Sequence, residues 1–293
     1  MSFRESARIV ISGAGGMVGR ELAAQARNQG RDVLALTSSE WDITDAPAAE
    51  RFVEPGDVVI NCAAYTAVDA AESDEERAHA VNAVGPANIA QACARAGAEF
   101  IHISTDYVFS GPKGTPFEIN DETAPAGVYG RTKLAGEFAV LTAMPDAHIV
   151  RTAWIYEGAD GSDFVAVMKR LAAGDKTVNV VDDQIGSPTY AADLVGALLE
   201  VADGGIREPV LHATNAGEAS RFEQAQAVFE AVGADPARVR PVSTDQYPRP
   251  APRPEYSVLS SRLSAEAGLT PLRPWRDALA AAIAKHGPAA AAT

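Results

Sequence analysis

A short β-branched run that stops at a group of glycines constrains the fold of this chain most. Residues 8–12 (RIVIS) predict a buried strand, and a helical pattern follows over residues 18–28. Between the two lie Gly13, Gly16 and Gly19. A strand, a glycine turn and a helix in this order form a dinucleotide site, in which the first N–H groups of the helix face a pyrophosphate. The sequence therefore predicts an α/β fold with a Rossmann-like doubly wound parallel sheet.

The spacing of these glycines differs from the usual dinucleotide fingerprint. Gly13, Gly16 and Gly19 are spaced three and three, and Val18 stands where the G-x-G-x-x-G pattern has its last glycine. A plain flexible loop is the alternative interpretation. The strand before the glycines and the helix after them favour a phosphate-binding loop.

The residues after the second predicted strand bear on the choice of cofactor. Residues 32–36 (DVLAL) predict this strand, after which an NAD site often places an acid for the ribose 2′-hydroxyl. This chain has residues 37–39 (TSS) instead, followed by Glu40. The small hydroxyl side chains favour NADPH, while Glu40 leaves NADH open. Asp42 and Ile43 are candidates to flank the adenine, or this stretch simply caps the next helix.

Polar residues follow several further predicted strands. These strands are expected at residues 57–61, 99–103 and 148–151. In open α/β sheets the carboxyl ends of the strands face the ligand crevice, so the Thr105 hydroxyl is placed to bind a carbonyl oxygen. A capping cluster of hydroxyl and acidic residues is the alternative. We expect His102, in the middle of its strand, to be a core residue.

Tyr129 and Lys133 form the clearest chemical motif in the chain. They are four residues apart in a stretch that predicts a helix over residues 129–143, so they share one face of it. A free phenol has a pKa of about 10 and is a poor proton donor at neutral pH. An ammonium one turn away is expected to lower that pKa, giving a tyrosine that exchanges a proton with an alcohol or carbonyl oxygen. An exposed Tyr/Lys pair is the alternative.

The charge and cysteine content exclude several classes of protein. The 293-residue chain has a formal net charge of −14, which predicts no nucleic-acid partner because duplex binding needs a basic face. No uninterrupted apolar stretch reaches the length of a membrane span, and the first residues do not read as a signal peptide. Cys62 and Cys93 have no CxxC partner, so neither a disulfide framework nor a zinc site is expected. We expect a cytoplasmic protein with no membrane partner.

The composition changes after the fifth predicted strand. We therefore predict an NAD(P)-binding Rossmann domain over residues 1–152. Residues 153–287 are expected to form mainly a smaller α/β substrate-binding domain, interleaved with the first. Residues 288–293 (PAAAAT) are low in complexity and predict a disordered tail.

A proline-stiffened segment carries the most conspicuous cationic residues. Residues 249–257 (RPAPRPEYS) contain Arg249 and Arg253, and further cations follow at Arg262 and Arg273. In a chain this acidic, such arginines are candidates for holding an anionic substrate, because a guanidinium binds phosphate oxygens in bidentate fashion. A linker or a solvated basic stretch is the alternative.

The glycine loop, the Ser-Thr-Asp stretch around Thr105 and the Tyr129/Lys133 pair together resemble the extended short-chain dehydrogenases/reductases. Further stretches are similar to one family among them, the dTDP-4-dehydrorhamnose reductases, over roughly residues 8 to 285. These stretches are residues 61–69 (NCAAYTAVD), 151–156 (RTAWIY), 183–189 (DQIGSPT) and Arg253-Pro254 before Ser257. The resemblance implies NADPH-dependent reduction of the 4-keto group of dTDP-4-dehydro-L-rhamnose to dTDP-L-rhamnose, the last step of dTDP-L-rhamnose biosynthesis.

The resemblance also implies roles for individual residues. The expected catalytic residues are Thr105, Tyr129 and Lys133. The expected cofactor-binding residues are Gly13, Gly16, Met17, Val18, Gly19, Asp42, Ile43, Ala63, Ala64, Thr66, Tyr129 and Lys133. The residues expected to face the nucleotide-sugar are Thr105, Asp106 and Trp154, with Arg253 added as the candidate for its pyrophosphate. Some relatives use a magnesium ion at a dimer contact, and Glu21 alone does not support a metal site here.

Two other classes of function stay open from the sequence. One is another nucleotide-sugar epimerase or dehydratase of the extended family. After Asp106 no acid follows until Glu118, so no Asp-Glu pair lies next to Thr105 to serve a dehydration. The other is a non-catalytic regulatory subunit on the same fold, against which the intact Tyr129, Lys133 and Thr105 argue. A monomer and a homodimer are both compatible with the sequence.

Overall fold

A parallel β-sheet with helices on both faces forms the main body of the molecule. The computed structural model describes residues 7–111 and 113–287, so the predicted tail at residues 288–293 lies outside the described residues. The strands in chain order are β1 (Ile9–Ser12), β2 (Val33–Leu36), β3 (Val58–Asn61), β4 (Glu99–Thr105), β5 (His148–Thr152), β6 (Ile155–Tyr156), β7 (Val178–Val181), β8 (Ile185–Gly186), β9 (Thr189–Tyr190), β10 (Val210–His212), β11 (Asn215–Ala216), β12 (Ala219–Ser220), β13 (Val239–Val242) and β14 (Leu272–Pro274).

The helices alternate with the first strands, as expected for a parallel sheet. In chain order they are α1 (Met17–Asn28), α2 (Ala46–Phe52), α3 (Val68–Ala71), α4 (Glu75–His79), α5 (Gly85–Ala96), α6 (Val128–Ala143), α7 (Phe164–Ala172), α8 (Ala191–Ala202), α9 (Arg221–Ala231), α10 (Arg262–Glu266) and α11 (Trp275–His286). Within the described residues, no helix is both long enough and apolar enough to cross a lipid bilayer.

The main sheet has six strands in the order β10-β5-β4-β3-β1-β2, all paired in parallel. Strand β1 pairs with both β2 and β3, so the direction in which the chain adds strands reverses at β1. In doubly wound sheets the ligand crevice opens at this reversal, beyond the carboxyl ends of the strands. The predicted fold class is confirmed.

Alternating side chains of the central strands build two separate cores. On one face, Ile9 and Ile11 pack with Leu22 of α1 and Leu194 of α8. On the other face, Val10 packs with residues of α2, α5 and α6. The strands are therefore apolar on both sides, which explains why they appear in the sequence as short continuous hydrophobic runs.

The chain after Thr152 builds a second layer and also returns to the first. Short strand pairs and helices α7, α9 and α11 enclose a third core, which contains Tyr156, Val165 and Trp275. Strand β10 nevertheless joins the edge of the main sheet beside β5, and α8 packs in the same core as α1. The division into residues 1–152 and 153–287 stays a prediction, with this strand and helix as the interleaved elements.

The helical region between β3 and β4 is not α-helical throughout. Helix α5 begins at Gly85 and continues through Pro86. A π-helical turn at Ala80–Val84 precedes it. This turn buries Asn82, whose amide bonds both the N–H and the carbonyl of Tyr65 and the Thr132 hydroxyl. Asn82 therefore ties the loop after β3 to helix α6.

Candidate active site

The glycine loop between β1 and α1 is shaped by close backbone approach. Gly13 has φ of 71°, and a Cβ there would lie 2.5 Å from the Ala63 nitrogen. A Cβ on Gly19 would overlap the Gly13 carbonyl oxygen. Within the described residues, no side chain caps the start of α1 at Gly16, so the first N–H groups of the helix remain open to a ligand.

A cavity of about 480 Å³ lies at the carboxyl ends of the central strands. It brings together residues from the glycine loop, from the loop after β3, from the end of β4 and from α6. Its lining includes Gly16, Met17, Val18, Ala63, Ala64, Thr66, Thr105, Asp106, Tyr129, Lys133 and Trp154, all of which are candidate site residues from the sequence. Gly13 and Gly19 shape the loop beneath it.

Two glycines let helix α6 pack closely against the turn after β4 and the π-helical turn, which places Tyr129 and Lys133 in this cavity. A Cβ on Gly130 would overlap the Tyr107 carbonyl oxygen, and one on Gly136 would overlap the Asn82 carbonyl oxygen. The Tyr107 ring meets the Tyr129 ring edge-on, with 5.4 Å between the ring centroids. Both predicted residues therefore share one face of α6, directed at the end of β4.

The protonation of Tyr129 differs from the sequence-based prediction. Burial raises the pKa of its phenol above the ordinary value, while an interaction with the Thr105 hydroxyl acts in the opposite direction. The predicted lowering by Lys133 is wrong for this geometry, because the Lys133 Nζ donates instead to the Ile103 carbonyl at 2.7 Å. Tyr129 is therefore fully protonated at neutral pH.

Lys133 is an almost completely buried amine. Its exposed fraction is 2%. Burial lowers its pKa from 10.5 to about 8, and the nearby Glu137 carboxylate opposes this effect. Glu137 is itself held by Arg151 at 2.7 Å and by the Ser104 hydroxyl at 2.5 Å. Lys133 can therefore change its protonation state within the physiological range of pH.

The Asp106 carboxylate is buried between two hydroxyl donors. Thr105 Oγ1 donates to one of its oxygens at 3.0 Å, and Ser257 Oγ donates to the other at 2.6 Å. Burial raises the pKa of Asp106 to about 6, although both hydrogen bonds lower it. Asp106 thus fixes the orientation of the Thr105 side chain at the end of β4.

Trp154 is held in a strained backbone conformation. Its φ is 47°, a left-handed value that bulky residues rarely adopt. The indole lies against Gly186, where any Cβ would overlap the ring. The Arg221 guanidinium stacks on the indole of Trp154, with 3.5 Å between the arginine Cζ and the ring centroid. The ring is therefore clamped in place at the edge of the cavity.

Arg221 is a cavity residue that no motif in the sequence indicates. It lines the cavity described above and also a neighbouring one of about 440 Å³. Burial lowers its pKa to about 10, while Tyr107 and Asp106 raise it. Its position directly after the helix cap Ser220 gives no sign of this role in the sequence.

The neighbouring cavity contains the predicted arginine segment. Its lining includes Asp69, Tyr107, Trp154, Gln184, Arg221, Arg249, Arg253 and Ser257. Arg253 pairs with Asp69 at 2.9 Å, and Arg249 lies 3.9 Å from the same carboxylate. Three guanidinium groups therefore meet at one cavity of an acidic protein.

Other cationic and acidic candidates lie elsewhere. In the described part of the chain, Arg262 pairs with Glu118 and Arg273 with Asp193, and neither arginine lines these two cavities. The same holds for Asp42, which accepts hydrogen bonds from the backbone N–H and hydroxyl of Thr44.

Further candidates near the second strand also lie outside the two cavities. Ile43 is buried, and its side chain lies against Gly85. Glu40 accepts hydrogen bonds from the N–H and the hydroxyl of Thr37 at 2.8 and 2.7 Å. This carboxylate therefore folds back over the start of the TSS stretch that favours NADPH.

In the part of the chain that the structure describes, no three His, Cys, Asp or Glu side chains are grouped to hold a metal ion. Glu21, the position of interest for magnesium, pairs with Lys285 at 3.3 Å and accepts from Gln25 at 2.9 Å.

The fold and the cavity that contains Thr105, Tyr129 and Lys133 define the class of protein, an extended short-chain dehydrogenase/reductase. The model of one family within this class, described as the RmlD substrate binding domain, matches residues 7–287. The chain belongs to this family, that of the dTDP-4-dehydrorhamnose reductases. The resemblance predicted from the sequence motifs is confirmed.

Named relatives and a solved structure agree with this assignment. A dTDP-4-dehydrorhamnose reductase from Mycolicibacterium smegmatis is 68% identical, covering 94% of this chain and 85% of the relative. One from Mycobacterium tuberculosis is 66% identical, covering 95% of this chain and 93% of the relative. The crystal structure of the Bacillus anthracis dTDP-4-dehydrorhamnose reductase in complex with NADP has 34% identity and a TM-score of 0.91, covering 96% and 99% of the two chains.

Proposed function

We propose that this chain reduces the 4-keto group of dTDP-4-dehydro-L-rhamnose to dTDP-L-rhamnose, using NADPH. The observation that carries the proposal is a single cavity in which a glycine loop, Thr105, Tyr129 and Lys133 come together. Membership of the reductase family and the solved relative with NADP support the same reaction and cofactor.

The residues around the glycine loop fit a dinucleotide. The open start of α1 and the absence of side chains at Gly13 and Gly16 leave backbone N–H groups available to a pyrophosphate. The buried Thr152 hydroxyl also lines the cavity and has no hydrogen-bond partner among the described residues. We assign cofactor binding to Gly13, Gly16, Met17, Val18, Gly19, Ala63, Ala64 and Thr66, with Asp42 and Ile43 as outer candidates. When bound, NADPH supplies the hydride for C4 of the sugar.

Tyr129 supplies the proton in this proposal. Its phenol is protonated at neutral pH because burial raises its pKa, so the O–H is available to the oxygen that gains negative charge at C4. The single O–H of Thr105, which Asp106 Oδ1 accepts in the structure, turns to the same oxygen when the substrate binds and becomes its second donor. Lys133 lies one turn further along α6. Its ammonium supplies the proton that converts the Tyr129 phenolate back to the phenol.

The second cavity is suited to the nucleotide-sugar. The proposed substrate carries a pyrophosphate. The guanidinium groups of Arg221, Arg249 and Arg253 line this cavity and are suited to bind it. Trp154 lines both cavities, so its clamped ring is placed to contact the sugar between the reacting centre and the pyrophosphate.

The remaining predictions are part of the same proposal. We propose the division into a cofactor domain (residues 1–152) and a substrate domain (residues 153–287), a cytoplasmic location, and a monomer or homodimer as the working assembly.

The test is to supply the purified protein with dTDP-4-dehydro-L-rhamnose and NADPH and to follow the absorbance of the reduced nicotinamide. Tyr129→Phe should lower kcat by about 10²–10⁴-fold, the range of general acid catalysis, and leave NADPH affinity unchanged. Tyr190→Phe, which removes a buried tyrosine hydroxyl away from the two cavities, is the matched control. More than about a tenth of wild-type activity in Tyr129→Phe would be inconsistent with its role.

The rival functions give different results. An epimerase of this superfamily holds NAD tightly, so NAD that copurifies with the protein and no net NADPH consumption would favour that function. A regulatory subunit would bind cofactor and show no turnover with any nucleotide-sugar.

A further inference from the structure

Three buried polar side chains form a row across neighbouring strands beside the proposed active site. Ser12 of β1 is in register with Asn61 of β3, and Asn61 is in register with His102 of β4. Ser12, Asn61 and His102 each have an exposed fraction of 0%. In a parallel sheet, residues in register point to the same face, so the three side chains are placed to bond one another.

Hydrogen bonds fix the orientation of the Asn61 amide. Its Oδ1 accepts from the Ala63 backbone N–H at 3.0 Å and from the Ser12 hydroxyl at 2.6 Å. A backbone N–H can only donate, so the atom that faces it must be the oxygen. The Nδ2 group therefore faces His102 Nδ1, at 2.9 Å, as a donor.

This orientation determines which nitrogen of His102 carries the proton. Because Nδ1 accepts from Asn61, it has no proton of its own. The proton of the neutral ring must then be on Nε2. The imidazolium form is excluded in this arrangement, since it would place a second donor against the Asn61 Nδ2 group.

The Nε2–H of His102 meets Lys133. The two nitrogens are 3.2 Å apart, and Lys133 Nζ also donates to the Ile103 carbonyl at 2.7 Å. An ammonium has three donors and no lone pair, so it cannot accept from Nε2–H. The contact is a hydrogen bond only when Lys133 is a neutral amine that accepts from His102.

We propose that His102 is a positioning residue that stabilises the neutral amine of Lys133 and thereby sets the pH at which Lys133 gives up its proton. This inference deepens the proposed reductase function and rests on it for its catalytic meaning. After Tyr129 gives its O–H proton to the substrate oxygen, a phenolate remains. A proton from the Lys133 ammonium, passed through solvent in the cavity that both side chains line, neutralises that phenolate. The Lys133 nitrogen keeps the electron pair, and that pair accepts from His102. A proton from solvent then restores the ammonium.

The charged groups around Lys133 do not replace this interaction. On α6, Glu137 favours the ammonium, and Arg151 of β5 pairs with Glu137. Tyr129 on the same helix is protonated, as is Cys62 in the loop after β3, since burial raises the pKa of both groups. The Asp106 carboxylate raises the pKa of Tyr129. Of the groups named here, His102 is the one whose N–H lies against Lys133 Nζ, and this contact favours the neutral amine.

The first test is nuclear magnetic resonance of protein labelled with ¹⁵N-histidine. The chain has five histidines, and the His102 signals are assigned by their loss in His102→Asn. We expect a neutral ring with the proton on Nε2 at a pH of about 7. An imidazolium, or a neutral ring with the proton on Nδ1, would overturn the proposal. This measurement needs no substrate, so its result is independent of whether the proposed reaction occurs.

The second test is the pH profile of kcat/KM. In His102→Gln the side-chain amide can turn its oxygen to the Lys133 ammonium, so the alkaline limb should move upward by about one pH unit. His212→Gln is the matched control, because His212 is a buried histidine on β10 that bonds the Ser260 carbonyl instead. An unchanged alkaline limb in a folded His102→Gln variant would contradict the proposal, and a variant that does not fold leaves the resonance experiment on the wild-type protein to decide.

Discussion

Ser257 donates a 2.6 Å hydrogen bond to Asp106, a residue 151 positions earlier in the chain. The other carboxylate oxygen of Asp106 accepts from Thr105 at 3.0 Å. Ser257 ends the segment that carries Arg249 and Arg253. One buried carboxylate therefore connects the arginines of the second cavity to the hydroxyl proposed to bind the reacting oxygen.

This connection predicts a change in pH dependence. The pKa of Asp106 is about 6 because burial raises it, and the Ser257 hydrogen bond lowers it. The carboxylate form holds Thr105, so activity should fall as the pH falls through about 6 in the wild type. In Ser257→Ala the pKa rises further, and this acid limb of kcat/KM should move upward by about one pH unit. Ser260→Ala, which removes a hydroxyl bonded to Glu118, is the control; an acid limb at the wild-type pH in Ser257→Ala would disprove the link.

The arginine segment predicts a selective loss of substrate affinity. Charge-assisted hydrogen bonds contribute about 1.5–3 kcal/mol each, which corresponds to roughly a 10- to 150-fold change in affinity. The Arg249→Ala/Arg253→Ala variant should raise the KM for the nucleotide-sugar by about this factor, with the KM for NADPH unchanged. Arg262→Ala removes a guanidinium that lies outside both cavities and should change neither. A substrate KM within about twofold of wild type in the double variant would contradict the assignment.

The packing of the Trp154 indole against Gly186 predicts the effect of adding one methyl group at position 186. In Gly186→Ala the new Cβ overlaps the indole, and overpacking of this kind costs typically about 1–3 kcal/mol. We expect kcat/KM for the nucleotide-sugar to fall by about 5- to 150-fold, because the ring must leave its place beside Arg221. The control is Gly196→Ala on α8, where nothing lies within 4 Å of the new Cβ. Equal kinetics in the two variants would mean that the position of the ring has no part in substrate binding.

Lys133 predicts a pH-dependent stability. Burial lowers its pKa from 10.5 in the free side chain to about 8 in the folded protein. Between these pH values the unfolded chain binds a proton that the folded protein does not, so this residue makes the free energy of unfolding rise with pH. Lys133→Met removes that contribution, and its stability should rise less than that of the wild type between a pH of about 8 and 9.5.

Chemical denaturation at a series of pH values measures this difference. Lys176→Met, at an exposed position, is the control and should follow the wild type. Parallel pH profiles for all three proteins would show that burial of the Lys133 ammonium does not lower the free energy of unfolding.

The sequence predicts the central elements well because their causes are local. Residues 9–11 are β-branched and buried on both faces, so the strand appears as a continuous apolar run. Tyr129 and Lys133 share a face of α6 because four residues make about one helical turn. The glycines at 13 and 19 indicate close backbone approach, and the structure gives the reason at each.

The features that the sequence misses depend on distant parts of the chain or on burial. Arg221 stacks on Trp154, which is 67 positions earlier, and nothing near either residue indicates the partner. The pKa of Tyr129 moves opposite to the prediction because the helical spacing to Lys133 is visible in the sequence, whereas the burial of the phenol is not. The same applies to His102, which is a core residue as predicted and yet contacts Lys133.

The most direct test of the proposed reaction is the fate of the hydride. NADPH that carries deuterium at the transferred position is supplied with dTDP-4-dehydro-L-rhamnose, and the sugar product is analysed by mass spectrometry and nuclear magnetic resonance. We expect one deuterium, bound to C4 of dTDP-L-rhamnose, in the wild-type reaction and almost no product with Tyr129→Phe. A product without deuterium at C4, or deuterium that stays on the cofactor while the sugar is rearranged, would contradict the proposed reaction.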